Sequence, residues 1–554
     1  MRIWFLPPVA AVLLLMPAPT PRVETQAAPA SVRILAINDF HGNLRPPAGG
    51  IRIADPDDKS KKITVAAGGA EHMATLVKQL RDGAQNTIFV AAGDLIGASP
   101  FLSAMFHDEP TIEALSMMGL EVASVGNHEF DEGKDELLRM QNGGCHPADG
   151  CQGPHPFPGA SFHYLAASTF EKSTGRTIFP AYQIREFSGI PVAFIGLTLK
   201  GTPDIVRPAG VAGLEFRDEA ETVNALVPEL KARGVEAIVV LIHEGGFPTG
   251  DYNECPGISG PIVDIVKKFD KAVDVVITGH THRAYVCEID GRLVTSGDKY
   301  GTLVTSIDLK LDPATHDVIS ARADNVIVRT TLAKDPEQTA LLDSYDKFAA
   351  PIANRRAGSI TETLSRVPDD AGESALGDVI ADAQLAATRS EADGGAAVAF
   401  TNPGGIRTSI ASKQDGTVIY ADLFASQPFR NQLVTLTLTG MQIKDALEQQ
   451  WRDPNQPRIL QVSKGFSYTW DDAKPYGERV LADSMALNGQ RIDPAQNYRV
   501  TVNDYLAAGG DGFAVLKAGI TPRVGIYDVD ALYGYFQANS PIGPASSGRI
   551  LRVN

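Results

Sequence analysis

The chain has 554 residues, more than one hydrophobic core holds, and its 44% apolar content is that of a globular protein. Two large domains are expected. With 50 Lys+Arg against 66 Asp+Glu, the net charge of −16 argues against a broad surface for nucleic-acid polymers, so any phosphate must meet positive charge locally, from metals or a few arginines.

At the N-terminus, Arg2 precedes a nearly all-apolar run over 3–16, and small residues follow at Ala27-Ala28-Pro29-Ala30. The apolar core is too short to span a bilayer and predicts a signal peptide over 1–28, with a secreted or periplasmic mature chain that keeps no membrane span. From 31 to about 330 the pattern alternates between short apolar β-branched runs (32–37, 87–91, 122–125, 192–195, 237–242 and 273–277) and helical stretches such as 70–81 and 219–233. That alternation predicts a layered α/β domain. Within it lie four cysteines, which an exported chain can oxidise. Of their three pairings, Cys145–Cys151 with Cys255–Cys287 is favoured, because the first closes a short Gly- and Pro-rich loop. A zinc site is the competing reading, although no C-x-x-C pair occurs.

Leu341, Leu342, Tyr345, Phe348 and Ile352 then fall at helical spacing, predicting one helix over 335–354 that links two domains. A surface helix of the first domain is the alternative. A second α/β region follows over 358–554, with a helix at 373–387, strands at 433–438 and 499–502, and Gly-rich turns at 402–405 and 509–512.

Five polar clusters sit where apolar strands end: Asn38-Asp39-Phe40-His41-Gly42, Gly93-Asp94, Gly126-Asn127-His128-Glu129, His243-Glu244-Gly245-Gly246 and Gly279-His280-Thr281-His282. Sites in α/β sheets lie beyond the carboxyl ends of strands, so these clusters can converge on one edge. Their mixed nitrogen and oxygen donors suit zinc, manganese or iron better than magnesium or calcium. In Asp39-x-His41 and His280-x-His282, an extended backbone would send both side chains off one face towards one ion. Glycine before Asp94, Asn127 and His280 is expected to turn the chain sharply, and Asp94 can bridge two ions about 4 Å apart. A lone Asp-x-His or buried histidine carries little weight; five clusters at strand ends carry much more.

The ordered set Asp-x-His, Gly-Asp, Gly-Asn-His-Glu, His, Gly-His-x-His resembles the signature of the calcineurin-like metallophosphoesterases. The fuller forms INDFHGNL, GNHEFD and GHTH are similar to the 5′-nucleotidase branch. The resemblance implies a four-layer α/β/β/α metallophosphoesterase domain joined by a helix to a second α/β domain. It implies two divalent ions, zinc or manganese with cobalt as a further candidate. Asp39, His41 and His282 would hold one, and Asn127, His243 and His280 the other, with Asp94 bridging. It also implies a dyad in which Asp131 orients His128 beside the leaving oxygen. The chemistry would be in-line attack on phosphorus by a metal-bridging hydroxide.

The resemblance continues through Asn402-Pro403-Gly404-Gly405-Ile406-Arg407, Gln427-Pro428-Phe429 and the segment 504–513. It implies that Phe429 and Tyr505 sandwich a base, that Asp511 holds ribose hydroxyls, and that Asn402 and Arg407 contact the base and phosphate regions. Two positions depart from the family pattern. Gly372 stands where an arginine is common before Glu373, leaving Arg366 as a candidate substitute, and Tyr505 stands where Phe is common. Members of the family rotate the C-terminal domain, which would place a hinge near the 335–354 helix. The expected activity is hydrolysis of nucleoside 5′-monophosphates, with UDP-sugars or other nucleotides as further substrates. Rivals are a 2′,3′-cyclic-nucleotide 2′-phosphodiesterase/3′-nucleotidase, a sulfur-oxidation thiohydrolase of the same superfamily, and a non-catalytic surface binding protein on the same scaffold. The oligomeric state is not legible.

Overall fold

The strand Ala30–Ile37 alternates its side chains between two cores, and this alternation organises the N-terminal half. Ile34 and Ala36 face one buried cluster, and Leu35 and Ile37 face another. In the computed structural model, which describes Met1, Trp4, 28–454, 456–545 and 548–554, this strand lies inside a six-stranded sheet. It pairs in parallel with Thr87–Ala92, which continues through Val122–Ser124 to His163–Leu165. On its other side the antiparallel strands Leu303–Leu311 and Val318–Ile327 complete the sheet. The predicted signal peptide falls almost wholly outside the described residues. No described helix is long and apolar enough to cross a membrane.

A second six-stranded sheet is likewise built on four parallel strands. Ile190–Thr198, Ala237–His243, Val275–Thr278 and Arg292–Gly297 run in parallel, flanked by the antiparallel edges Tyr182–Phe187 and Ala284–Ile289. The two sheets meet through Val32, Ile34, Val90, Val239, Leu241 and Ile277. Fully burying one such side chain contributes about 1.5–3 kcal/mol. Outside the first sheet, Met73, Val77, Ile112 and Leu115 of Ala70–Arg81 and Glu109–Met117 cover it. Outside the second, Val223, Val227, Ile262 and Val266 of Glu219–Ala232 and Pro261–Lys268 do the same. The result is the α/β/β/α layering.

Helix Pro336–Ala353 starts at an Asp335 cap whose carboxylate accepts from Glu337 N and Gln338 N. Its buried Leu341, Leu342, Tyr345 and Ala349 pack into the N-terminal core, and the Tyr345 ring meets Phe106 edge-on at 4.8 Å. Phe348, predicted on the same apolar stripe, is 48% exposed instead. Beyond the helix, a mixed five-stranded sheet has the order Gln461–Val462, Val398–Thr401, Asn497–Asn503, Gln432–Thr439, Ile520–Tyr527. The predicted helix at 373–387 spans Ala375–Thr388, because Ser374 caps it through Gly377 N. Phe101 touches both Tyr420 and Phe424 across the two halves, so one apolar cluster runs between them. Both disulfides take the favoured pairing, Cys145–Cys151 and Cys255–Cys287, and no described cysteine is free for a zinc site.

Candidate active site

Every polar cluster follows the carboxyl end of a parallel strand, and the sandwich brings both sheets' ends together. Ala30–Ile37, Thr87–Ala92 and Val122–Ser124 deliver Asp39 and His41, Asp94, and Asn127 from the first sheet. Ala237–His243 and Val275–Thr278 deliver His243, His280 and His282 from the second. Nε2 of His282 lies 3.1 Å from Nε2 of His41 and 3.3 Å from Oδ1 of Asp39. Nε2 of His243 lies 2.9 Å from Oδ2 of Asp94, which is 3.7 Å from Nε2 of His41. Nδ1 of His280 lies 3.0 Å from Oδ1 of Asn127. Asp94 thus stands between a group of Asp39, His41 and His282 and a group with His243 and His280.

The backbone here is not extended, contrary to the reading of the two x-separated pairs. Asp39, His41, Asp94, His280 and His282 all have positive φ, between 46° and 70°. Alternate side chains of an extended strand start about 7 Å apart, and the left-handed turns draw them closer. Such conformations cost of order 1–3 kcal/mol each and persist where the surroundings enforce them. The glycines divide by role as well. Gly93 turns the chain at φ +79°, whereas Gly126 and Gly279 do not have positive φ. They make room instead: a Cβ on Gly126 would lie 2.2 Å from Oδ1 of Asp94, and one on Gly279 would lie 2.7 Å from the carbonyl oxygen of Ala92.

Two residues outside the predicted set hold these loops. Buried Glu129 accepts from Asp94 N at 2.9 Å, Leu95 N at 2.8 Å and Gly126 N at 2.6 Å. Asn38 donates to Oδ2 of Asp39 and accepts from Gly297 N, both at 2.7 Å. Each lies within a recognisable cluster, but only the three-dimensional contacts reveal what it clamps.

The donor set fits divalent ions. Nδ1 of His243 lies 2.8 Å from the Ala92 carbonyl and Nδ1 of His41 lies 2.9 Å from the Gly97 carbonyl. Each Nδ1 therefore carries a proton and leaves Nε2 as the inward-facing atom. On His41 that atom presents a lone pair, and on His243 it faces Oδ2 of Asp94 at 2.9 Å with a proton that a metal ion would replace. Burial holds His41 and His282 well below the ordinary histidine value and His280 at about 4, so these imidazoles are neutral donors at pH 7. Burial opposes charge on Asp94 and His243, yet their mutual attraction wins, holding Asp94 well below the carboxylate range and His243 at about 10. A position that draws positive charge between these two groups is one a cation can take.

Beside this centre, Nδ1 of His128 lies 2.7 Å from Oδ2 of Asp131. Burial disfavours the charged ring, but Asp131 and Asp94 outweigh it and raise the His128 pKa. The His128 ring stacks on Phe429 with centroids 5.7 Å apart and planes 21° from parallel, and the Arg407 guanidinium lies 5.7 Å over the same Phe429 ring. Nε and Nη2 of Arg407 are buried with no hydrogen-bond partner among the described residues. A cavity of ≈ 740 Å³ joins His128, Asp131 and His280 to Asn402, Arg407, Phe429, Tyr505 and Asp511. Arg366 lines a different cavity and donates to the Arg407 carbonyl.

Asp511 is the hub of the distal wall. Oδ1 accepts from the Tyr505 hydroxyl at 2.9 Å and from Nη1 of Arg458 at 2.7 Å, and Oδ2 accepts from Nδ2 of Asn402 at 2.7 Å. Tyrosine in place of the family's Phe therefore does more than preserve a stacking face, because its hydroxyl fixes the carboxylate. Arg458 carries no local sequence signal. It comes from a separate loop and was not among the predicted site residues.

Comparison with known proteins places these features. The calcineurin-like phosphoesterase family profile matches residues 32–284, and the profile of the 5′-nucleotidase C-terminal domain matches 353–518. The chain is 33% identical over 524 residues to the endonuclease YhcR of Bacillus subtilis, covering 94% of this chain and 41% of that protein. It thus spans less than half of that relative. It is 32% identical to the cell wall protein Lmo0130 of Listeria monocytogenes, covering 92% of this chain and 67% of the relative. The crystal structure of a 5′-nucleotidase precursor from Thermus thermophilus superposes with a TM-score of 0.76 at 25% identity, covering 95% of this chain and 99% of that one.

Proposed function

Because this chain belongs to the 5′-nucleotidase family of metallophosphoesterase hydrolases, we propose that it is an exported enzyme releasing phosphate from nucleoside 5′-monophosphates. One observation carries the reading. The Arg407 guanidinium with its two buried, unbonded nitrogens, the Phe429 face and the His128–Asp131 dyad line the same cavity as Asn127 and His280 of the metal-ligand cluster. Its ≈ 740 Å³ falls within the range of small-molecule sites. The net charge of −16 favours a small nucleotide over a polymer.

In this reading Asp39, His41 and His282 hold one divalent ion and Asn127, His243 and His280 the other, with Asp94 between them. Zinc or manganese fits these donors best, and cobalt fits as well. When bound, two such ions supply a nucleophile at neutral pH and neutralise phosphoryl charge. Arg407 offers its planar fork to the phosphate. His128, charged with help from Asp131, donates a proton to the departing ribose oxygen. Phe429 and Tyr505 offer stacking faces to the base. Oδ2 of Asp511, with one acceptor site left, takes a ribose hydroxyl. Asn402 positions Asp511, and Arg366 supports the Arg407 backbone.

The test measures phosphate release from AMP, 3′-AMP, 2′,3′-cyclic AMP and UDP-glucose, and cleavage of single-stranded DNA, with zinc, manganese and cobalt added separately. Highest kcat/KM on AMP supports the proposal. Preference for the cyclic substrate or for DNA replaces it with the phosphodiesterase or the polymer reading, and no turnover of any nucleotide overturns it. In His128→Ala, metal content should persist while kcat falls by about 10²–10⁴.

A further inference from the structure

Four donor side chains outside the dinuclear cluster line the same cavity. His107 follows helix Phe101–Ala104, Glu132 and Glu136 follow the short turn His128–Phe130 that opens the dyad, and His146 sits in the loop closed by Cys145–Cys151. One donor atom from each lies within 4.8 Å of the others. Nδ1 of His107 is 2.7 Å from Oε2 of Glu132, and its Nε2 is 3.0 Å from Oδ2 of Asp149. That same oxygen lies 3.7 Å from Nδ1 of His146. These spacings of 2.7–3.7 Å overlap the 2.9–3.7 Å between donors in the dinuclear cluster. His107 is 8% exposed and held at φ 51°, so it is placed rather than free.

We propose that His107, Glu132 and His146, with Glu136 and Asp149 beside them, form a third divalent-cation site in the wall of the substrate cavity. Two imidazoles with carboxylates select a zinc-class ion over calcium or magnesium. Glu136 is already engaged by Arg139 through contacts of 2.6–3.1 Å, so it contributes mainly charge. The two imidazoles stack with centroids 3.8 Å apart and planes within 8°. Their in-plane lone pairs therefore run side by side, and the His146 ring must turn off the stack to share an ion. Its side chain is 16% exposed, on a loop that lines the cavity, and turning would release the hydrogen bond its Nδ1 accepts from Asp149 N at 3.1 Å. Glu132 follows Asp131 directly in sequence, so the ion would tie the disulfide-closed loop to the turn that carries the dyad.

The test is a zinc count on the full chain, stripped with chelator, refilled and desalted, and compared with His107→Ala/His146→Ala. Wild type should hold three equivalents and the double variant two. Saturation of wild type at two, or retention of three by the double variant, overturns the site. His146→Ala alone guards against misfolding of the double variant. It should weaken the third equivalent at least about tenfold in Kd, as loss of a supporting group does at metal sites, and an unchanged Kd overturns the proposal. His243→Ala separates this site from the dinuclear reading, because the His107-dependent ion should remain when that centre is damaged; its loss there overturns an independent site.

Discussion

Gly126 has no room for a methyl group. A Cβ there would lie 2.2 Å from Oδ1 and 2.4 Å from the backbone nitrogen of Asp94, and 2.8 Å from Oε2 of Glu129. Ordinary contact begins near 3.4 Å, so Gly126→Ala must push the Asp94 carboxylate back by about 1 Å. Asp94 cannot simply rotate away, because its Oδ1 accepts from His128 N at 2.9 Å and its Oδ2 faces His243 at 2.9 Å. A misplacement of about 1 Å at a reacting centre costs about 10²-fold in rate, and overpacking costs about 1–3 kcal/mol of stability. Gly126 does not have positive φ, so backbone strain does not contribute. The assay is kcat on AMP with saturating zinc or manganese, alongside metal content and thermal unfolding. Gly534→Ala is the control: that glycine lies in helix Asp528–Asn539 with open space around it, and alanine should leave turnover unchanged while adding about 0.5–1 kcal/mol of stability. Near-wild-type kcat in Gly126→Ala, with metals retained, would refute the close-approach argument.

Three further outcomes are expected. Burial pushes the Asp528 carboxyl up to about 8, above its unfolded value of about 3.9, so the folded state holds the extra proton. Its stabilising effect is full below about pH 4 and is lost as pH rises through about 8; the Tm of Asp528→Asn relative to wild type should rise between pH 5 and 8.5, and a constant difference would count against the assignment. Tyr505→Phe removes the hydroxyl that meets Asp511 twice at 2.9 Å. KM for AMP should rise with kcat nearly unchanged, by up to the 1.5–3 kcal/mol of about one charged hydrogen bond, and a fall in kcat alone would contradict a ribose-side role. Removing Cys255–Cys287 with paired serines opens a sequence separation of 32 residues, and the denaturant midpoint should fall by the equivalent of about 3–4 kcal/mol; a loss under about 1 kcal/mol would show that the bridge adds little.

Much of the cluster of candidate metal ligands was legible in the sequence because its donors follow apolar strands. A strand that ends in His243, or just before Asp39, Asp94 or His280, announces itself through its apolar run and the polar residues at or beyond its end. The helix over 336–353 was legible from its spacing, but the exposure of Phe348 was not, since spacing gives a stripe without saying where its cover ends. The extended reading of Asp39 and His41 failed because local pattern says nothing of positive φ, which the converging loops impose.

The sequence by itself determined the α/β alternation and the strand-end donors, both properties of neighbouring residues, and favoured the cysteine pairing without excluding the others. Tertiary structure alone decided the clamps of Glu129 on three amides and of Arg458 on Asp511, and the meeting of His107, Glu132 and His146. Those contacts join segments whose proximity depends on strand order and on how two sheets and two halves pack. No local periodicity encodes such a distance, because it is fixed only when the cores between the segments are buried.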